Sequence, residues 1–218
     1  MELFKYCRND HMEAMFRFGT VRVGTLSDFR TQDKYGEHTA DAKEGSKLMG
    51  GTIQNLNSEN SKLYPGLRGL IELGEGGVVG TLNVSSFEST VTDALIFSAS
   101  REYSEETHKE WMLAEGYDAC YRILSARLFF KALSEKLPGG YQFLGFSEVI
   151  YADEIDIATP LAGIHPALVK RNPRHIIQNE VRAIWAPVTD CLLSPIILSE
   201  TRASLFCIQH KRISADGA

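Results

Sequence analysis

The chain has 218 residues, of which 44% are hydrophobic and 23% charged, a composition typical of soluble globular proteins. These values exclude a disordered chain, a collagen-like repeat and a small disulfide-stabilised scaffold. Lys and Arg total 23 against 28 Asp and Glu, so the net charge of −5 gives the whole molecule no general attraction for nucleic acid.

The hydrophobic pattern predicts a strand, a helix and a second strand at the start of the chain. Residues 3–7 and 20–26 alternate apolar and polar side chains, which is typical of strands. Between them, Asn9 or Asp10 is a suitable helix N-cap, and Gly19 is a suitable residue to end the helix.

The next part of the chain is predicted to be a long connection followed by a hairpin. Residues 28–61 are polar and weakly periodic, and irregular segments of this length often carry function. The β-like segments 67–73 and 78–84 are joined by the glycine-rich turn 74–77. The glycine spacing of this turn does not match a nucleotide-binding loop.

The rest of the chain alternates between predicted strands and helices. The predicted strands are 93–100, 118–124, 143–151 and 176–185, and the predicted helices are 104–115, 126–136 and a short segment at 162–170. Residues 196–198 and 205–209 are candidates for a final strand or helix. Because the sequence contains no repeat and no low-complexity linker, it predicts one α+β domain over residues 1–218.

Short apolar runs and a charged N-terminal segment predict a soluble, cytoplasmic protein with no membrane partner. No apolar run approaches the roughly 20 residues that span a bilayer, and residues 1–10 lack the apolar core of a signal peptide. The cysteines are scattered, without zinc-site spacing, so we expect reduced, mostly buried thiols and no metal site. They are Cys7, Cys120, Cys191 and Cys207.

Three of the predicted strands carry short fragments that contain polar side chains. The fragments are Phe4-Lys5-Tyr6, Phe97-Ser98-Ala99-Ser100 and Gln178-Asn179-Glu180. Because side chains alternate along a strand, Ser98 and Ser100 share one face, as do Glu180 and Arg182.

In their chain order these fragments resemble the ADP-ribosyltransferase superfamily. Its members carry a basic residue or His on the first strand, then a Ser-x-Ser or Tyr element, then a Glu/Gln-x-Glu pair. Over residues 3–187 the chain is also similar to a large family of uncharacterised prokaryotic proteins. The segments that carry this likeness are FKY, IFSAS, HKEWMLAEGYDACYRI and KRNPRHIIQNEVRAIW. The resemblance implies a split mixed or antiparallel β-sheet core flanked by helices.

The resemblance implies an enzyme that transfers ADP-ribose from NAD to a macromolecular acceptor or to water, without a metal. Cleavage of the nicotinamide–ribose bond builds positive charge on the ribose, which a nearby carboxylate stabilises. The superfamily pattern gives this catalytic role to Glu180 and places Gln178 on the acceptor side. The residues that would position NAD are Lys5, Tyr6, Ser98, Ser100 and Trp111. The narrower family further implies a toxin or phage-defence role.

Each of these residues also has a structural interpretation. Glu180 is equally well explained by an ion pair with Arg182 or with the basic residues at 170–174, and Trp111 by packing in the core. Lys5 stands where the superfamily has Arg or His, which favours a non-catalytic nucleotide-binding or sensing module. The basic run 170–175 supports a third hypothesis, a member of the superfamily that acts on nucleic acid.

Overall fold

The computed structural model describes residues 1–30, 41–189 and 191–213. Contacts between residues divide the chain into two compact units. Unit 1 comprises Met1–Glu44, Asp93–Val149 and Arg174–Ala218, and unit 2 comprises Gly45–Thr92 and Ile150–Pro173. Both segments of unit 2 are thus insertions in the sequence of unit 1. The single domain expected from the sequence stays a prediction.

Strands outnumber helices along the described chain. The strands are β1 (Leu3–Cys7), β2 (Thr20–Thr25), β3 (Ser46–Asn57), β4 (Val78–Thr90), β5 (Leu95–Ser100), β6 (Ala119–Ile123), β7 (Tyr141–Glu148), β8 (Ile150–Tyr151), β9 (Ile155–Asp156), β10 (Val169–Lys170), β11 (Glu180–Pro187), β12 (Ile196–Ser199) and β13 (Cys207–Arg212). The helices are α1 (Asn9–Phe18), α2 (Leu26–Phe29), α3 (Glu105–Glu115), α4 (Ala126–Lys136) and α5 (Thr201–Ser204). Short 3-10 turns occur at Asn60–Leu63, Pro65–Leu67, Pro160–Gly163, Pro166–Leu168 and Pro173–Gln178.

In the eight-stranded antiparallel sheet of unit 1, one edge of β5 pairs with one strand and the opposite edge pairs with two strands in succession. One edge of β5 pairs along its length with β11, which also pairs with β7. The opposite edge pairs with β2 at Leu95 and Ile96 and with β1 at Ser100. Strand β12 extends the β2 branch, while β6 and β13 extend the β1 branch. The α+β class predicted from the sequence is therefore confirmed, with a large antiparallel sheet flanked by few helices.

One face of this sheet forms the main hydrophobic core of unit 1. Alternation along β11 turns Val181, Ala183 and Trp185 into that core. Helix α1 contributes two buried methionines and α4 two buried phenylalanines. The intervening residues of β11, including Glu180 and Arg182, therefore belong to the opposite face.

Helix α1 ends at Gly19, as the sequence predicts. Gly19 has a left-handed φ of 64°, and its N–H donates to the Met15 carbonyl at 2.9 Å. A Cβ at this position would collide with the backbone of Glu200 and Thr201. The position therefore needs glycine both for its backbone conformation and for the close approach of a second chain segment.

Unit 2 is built on a three-stranded sheet in the order β4–β3–β9. Strand β3 pairs antiparallel with β4 and parallel with β9, and β8 and β10 form a separate parallel pair. Lys47 on β3 is only 5% exposed. Its ammonium donates to the carbonyls of Ala162 and Ile164, the latter at 2.7 Å. These hydrogen bonds offset the cost of burying the charge and connect β3 to the 3-10 turns.

Two sequence predictions for unit 2 are wrong. Residues 46–57, expected within an irregular connection, form the long strand β3; the segment 31–40 of that connection lies outside the described residues. The strand at 67–73 is absent from the described structure, where Pro65–Leu67 forms a 3-10 turn. The hairpin partner of β4 is instead β3. A bulge between Met49 and Gly51 breaks the alternation of β3, which explains why its sequence lacks a strand pattern.

Two further predicted elements differ from the structure. The helix expected at 162–170 is replaced by 3-10 turns and the short strand β10, because Pro166 interrupts helical hydrogen bonding. The strand expected at 176–185 begins only at Glu180. Residues before it belong to the 3-10 turn Pro173–Gln178.

All four cysteines lie in the described part of the chain and are free thiols. Cys7, Cys120 and Cys207 are buried, whereas Cys191 is exposed. Burial raises the pKa of Cys7 and of Cys207 to about 12 and also raises the pKa of Cys120.

We expect the free energy of unfolding to fall as the pH rises from 9 towards 12, because the folded state holds the thiol protons more tightly than the unfolded state. Each buried thiol contributes a slope of up to about 1.4 kcal/mol per pH unit. Urea denaturation at several alkaline pH values should show a smaller slope for Cys207→Ala. The exposed-site variant Cys191→Ala should keep the wild-type slope, and equal slopes in all three proteins would contradict the prediction.

Candidate functional site

Three strands bring Ser98, Ser100 and Glu180 to one face of the unit 1 sheet. Lys5 belongs to the opposite face, since it lies between Phe4 and Tyr6 and pairs with the core residue Tyr121. Phe4 on β1 pairs with Ser100 on β5, and Ser100 pairs with Glu180 on β11. Directly opposed residues project to the same face, so these side chains form a row across three strands. Ser98 and Arg182 form the neighbouring pair on that face. Three segments that are distant in the sequence therefore meet in the fold.

Lys5 lies at the point where the sheet divides. Strand β2 pairs with β5 only as far as Ile96, and β1 pairs with β5 only at Ser100. In the gap, Lys5 Nζ donates to the Ser98 carbonyl at 2.7 Å and lies 5.0 Å from the centroid of the Phe97 ring. Burial lowers the pKa of Lys5, while the nearby charge of Glu180 acts in the opposite direction. The side chain thus satisfies a backbone carbonyl at the opening of the sheet.

Glu180 lies in a buried ion-pair network with Arg182 and Glu44. The exposed fractions of the three residues are 5%, 1% and 1%. Arg182 donates from Nε to Glu180 Oε1 at 2.9 Å, and its Nη1 and Nη2 contact the two carboxylate oxygens of Glu44. Burial disfavours the guanidinium charge, but the two carboxylates outweigh this effect and raise the pKa of Arg182. The alternative of a Glu180–Arg182 ion pair, weighed from the sequence, is realised in the structure.

Lys5 adds a positive charge near this network. Arg182 carries one positive charge against the two negative charges of Glu180 and Glu44. The ammonium of Lys5 is close enough to Glu180 to affect its own pKa. The attraction between Lys5 and Glu180 therefore partly offsets the cost of burying either charge.

Sequence reasoning missed Glu44. The residue lies in the segment predicted to be irregular, where no periodicity distinguishes it. Its position is held by backbone bonds, since its N–H donates to Asp41 O at 2.9 Å and its carbonyl accepts from Arg30 Nε at 2.7 Å. The only available signal was Arg182 within the apolar stretch EVRAIW, which requires a buried acidic partner without indicating which one.

Gln178 lies in the 3-10 turn before β11 and not on the strand. Its side chain is buried, and its amide Nε2 lies 3.0 Å from Nδ1 of His175. The following residue, Asn179, has a left-handed φ of 41°, and its carbonyl accepts from the N–H of Arg101 at 2.7 Å. Gln178 therefore does not belong to the strand predicted at 176–185, and its acceptor-side role stays a prediction.

Tyr6 and Trp111 pack against each other beside β1. Tyr6 is 2% exposed, and its hydroxyl accepts from the N–H of Ser104 at 2.8 Å. Its ring contacts Trp111 edge-on at 5.1 Å and stacks on Tyr103 at 5.8 Å. Burial raises the pKa of Tyr6 to about 12. Tyr6 therefore anchors the start of α3, and the NAD-binding role of both residues stays a prediction.

In residues 1–30, 41–189 and 191–213, no group of three or more His, Cys, Asp or Glu side chains is arranged to hold a metal ion. No helix in the described part of the chain is both long and apolar enough to cross a membrane.

No protein-family model, curated protein or solved structure matches this chain.

Proposed function

We propose that the protein is an NAD-dependent ADP-ribosyltransferase that transfers ADP-ribose to a macromolecular acceptor or to water. The observation that supports this function is the row of Phe4, Ser100 and Glu180 across β1, β5 and β11. The row contains one residue from each segment that resembles the superfamily. The division of the sheet at β5 further supports the split core that the resemblance implies. A toxin or phage-defence role is part of this proposal only through the resemblance to the prokaryotic family.

The proposed reaction breaks the bond between the ribose C1′ and the nicotinamide nitrogen. The bonding electron pair goes to the nicotinamide, and the ribose acquires oxocarbenium-like positive charge. Glu180 stabilises this charge and orients the ribose hydroxyls, more strongly in the transition state than in the ground state. The acceptor atom or water oxygen then bonds to C1′ and loses its proton. Ser98 and Ser100 lie beside Glu180 as hydrogen-bonding groups for the ribose.

The contact with Arg182 bears directly on the catalytic role of Glu180. A guanidinium beside a carboxylate reduces the negative charge that the carboxylate offers to a ribose. Glu44 shares this guanidinium through Nη1 and Nη2. In this proposal Glu44 is a positioning residue: it holds Arg182, which in turn orients Glu180 without fully neutralising it.

The test compares wild type with Glu180→Gln, which keeps the shape of the side chain and removes its charge. We expect nicotinamide release from NAD to fall by about 100-fold or more, the usual effect of removing a group that stabilises transition-state charge. Release is measured with NAD labelled in the nicotinamide, and transfer with NAD labelled in the adenine and incubated with cell extract. Thermal melting verifies that the variant is folded.

Glu148→Gln is the matched control for this experiment. Glu148 lies on β7, opposite Val181 of β11, and its side chain is 61% exposed. We expect this variant to release nicotinamide at the wild-type rate. Equal rates for wild type and Glu180→Gln, or no release by wild type with any extract, would overturn the catalytic proposal.

Nucleotide binding without turnover is a second candidate function. Two observations favour it: Arg182 compensates the charge of Glu180, and Lys5 donates to the Ser98 carbonyl. Calorimetry with NAD and with ADP-ribose distinguishes the two functions. Binding by wild type without nicotinamide release supports the binding module, whereas release that depends on Glu180 supports the enzyme.

A further inference from the structure

Three aromatic rings form a partly open cluster on the same face as the proposed catalytic row. Ring centroids are separated by 6.1 Å between Phe4 and Tyr103, 5.1 Å between Phe4 and His210, and 4.7 Å between Tyr103 and His210. Phe4 and Tyr103 are half-buried, while His210 is exposed. Because Phe4 pairs with Ser100, this aromatic cluster is continuous with the face that carries Glu180. Aromatic surface thus remains accessible beside the site.

His210 reaches this position through an irregularity in β13. Gln209 pairs with Tyr121 and Lys211 with Cys120, so that His210 is an extra residue in the ladder. Such a bulge redirects the side chain of the inserted residue. The distortion of β13 therefore completes the aromatic cluster.

Two cationic residues lie beside the aromatic cluster. Arg122 on β6 lies directly opposite Phe4, and Lys211 follows His210. Partial burial lowers the pKa of His210, and the charges of Arg122 and Lys211 add to this effect. Arg122 makes an ion pair of 3.4 Å with the half-exposed Glu2, a contact that a competing anion can displace at little cost.

We propose that the aromatic cluster binds an unpaired base of single-stranded nucleic acid, with Arg122 and Lys211 contacting the adjacent phosphates. Accessible rings with flanking cations are the two features that nucleic acid single strands require of a protein surface. The net charge of −5 does not oppose this binding, because screening confines the interaction to the local charges.

The position of the aromatic cluster favours an extended single strand of nucleic acid as the ligand. Adjacent strands of a sheet are about 4.8 Å apart, so Phe4 lies about 10 Å from Glu180 across β5. A nucleic acid strand bound at Phe4 would therefore run past the proposed catalytic carboxylate. The inference goes beyond the proposed function and does not depend on it, since binding is measured without NAD.

The experiment measures fluorescence anisotropy of labelled single-stranded DNA and RNA of about twelve nucleotides, with a duplex of the same sequence for comparison. Phe4→Leu keeps an apolar side chain but removes the ring, and we expect its dissociation constant to rise by about 10-fold. His210→Ala, an exposed position where folding is not at risk, should weaken binding in the same direction. The control is Phe18→Leu, which removes an exposed aromatic side chain from α1 and should leave affinity unchanged.

Lys211→Gln tests the phosphate contacts. We expect this variant to bind the oligonucleotide more weakly than wild type. Between 50 and 200 mM salt, the slope of the logarithm of the binding constant against the logarithm of the salt concentration should fall in magnitude by about one. Lys131→Gln, which removes an exposed lysine from α4, should keep the wild-type slope.

Any of four results would overturn the inference. One is the absence of single-strand binding by wild type, and another is equal affinity for the single strand and the duplex. The third is unchanged affinity in both Phe4→Leu and His210→Ala. If NAD displaces the oligonucleotide and Phe4→Leu weakens binding of NAD alone, the cluster is a dinucleotide site and the inference is wrong. Because oligonucleotide binding is measured without NAD, its failure is distinguishable from the loss of nicotinamide release in Glu180→Gln.

Discussion

Replacement of Arg182 by leucine is expected to lower the free energy of unfolding by about 3–5 kcal/mol. The substitution leaves Glu180 and Glu44 as two neighbouring carboxylates in a site where each is at most 5% exposed. An unpaired buried charge is costly because the interior does not replace the solvation that water provides. Urea denaturation of the purified proteins at neutral pH measures the difference.

Arg202→Leu is the matched control for this prediction. Arg202 also contacts two acidic residues, Glu200 and Glu135, but its side chain is 54% exposed. Its loss should therefore cost less than about 1 kcal/mol. The double variant Arg182→Leu/Glu44→Gln should recover part of the stability lost by Arg182→Leu. Equal losses for the two arginine variants would show that the buried network does not carry the expected charge penalty.

Trp185→Ala is expected to destabilise the protein by about 3–5 kcal/mol through the cavity that it creates. Trp185 is 1% exposed and lies on the core face of β11. Its ring centroid is 6.2 Å from that of Phe130 and 5.2 Å from that of Phe143. Its Nε1 donates to Ser134 Oγ at 2.7 Å. The alanine variant therefore loses both ring packing and a hydrogen bond within the core.

Two milder substitutions separate these contributions. Ser134→Ala removes the hydrogen-bond acceptor and leaves the ring in place, with an expected cost of about 1–3 kcal/mol for the unpaired indole N–H. Phe18→Ala removes an aromatic side chain that is 62% exposed and should change stability by less than about 0.5 kcal/mol. Urea denaturation should show the largest loss in the free energy of unfolding for Trp185→Ala, a smaller loss for Ser134→Ala and the smallest for Phe18→Ala. A loss for Trp185→Ala no larger than that for Phe18→Ala would contradict the cavity argument.

The two largest predicted effects arise on opposite faces of the same strand. Trp185 anchors β11 to the core of unit 1, whereas Arg182 orients Glu180 on the other face. The core therefore fixes the strand that carries the proposed catalytic carboxylate. This arrangement satisfies a general requirement of functional sites, which need a rigid support behind the reactive groups.

Local patterns in the sequence determined the elements whose signals lie within a few residues of one another. Strand β1 and helix α4 have the predicted bounds, and α1 ends at Gly19 because that residue adopts the left-handed conformation. Helix α3 follows Ser104, whose side chain accepts from the N–H of Thr107. Alternation along β11 also assigned Glu180 and Arg182 to one face, since a strand has a period of two.

Only the tertiary structure decided which side chains meet. Glu44 and Arg182 are 138 positions apart, and Lys5 and the Ser98 carbonyl are 93 apart. The order of strands in the sheet brings them together, and no local period encodes that order. Strand β3 escaped prediction for the same reason, because its bulge and its pairing with β4 depend on a partner elsewhere in the chain. Hydrogen-bond and charge partners are chosen by the assembled sheet, so a carboxylate such as Glu44 has no recognisable role until the chain has folded.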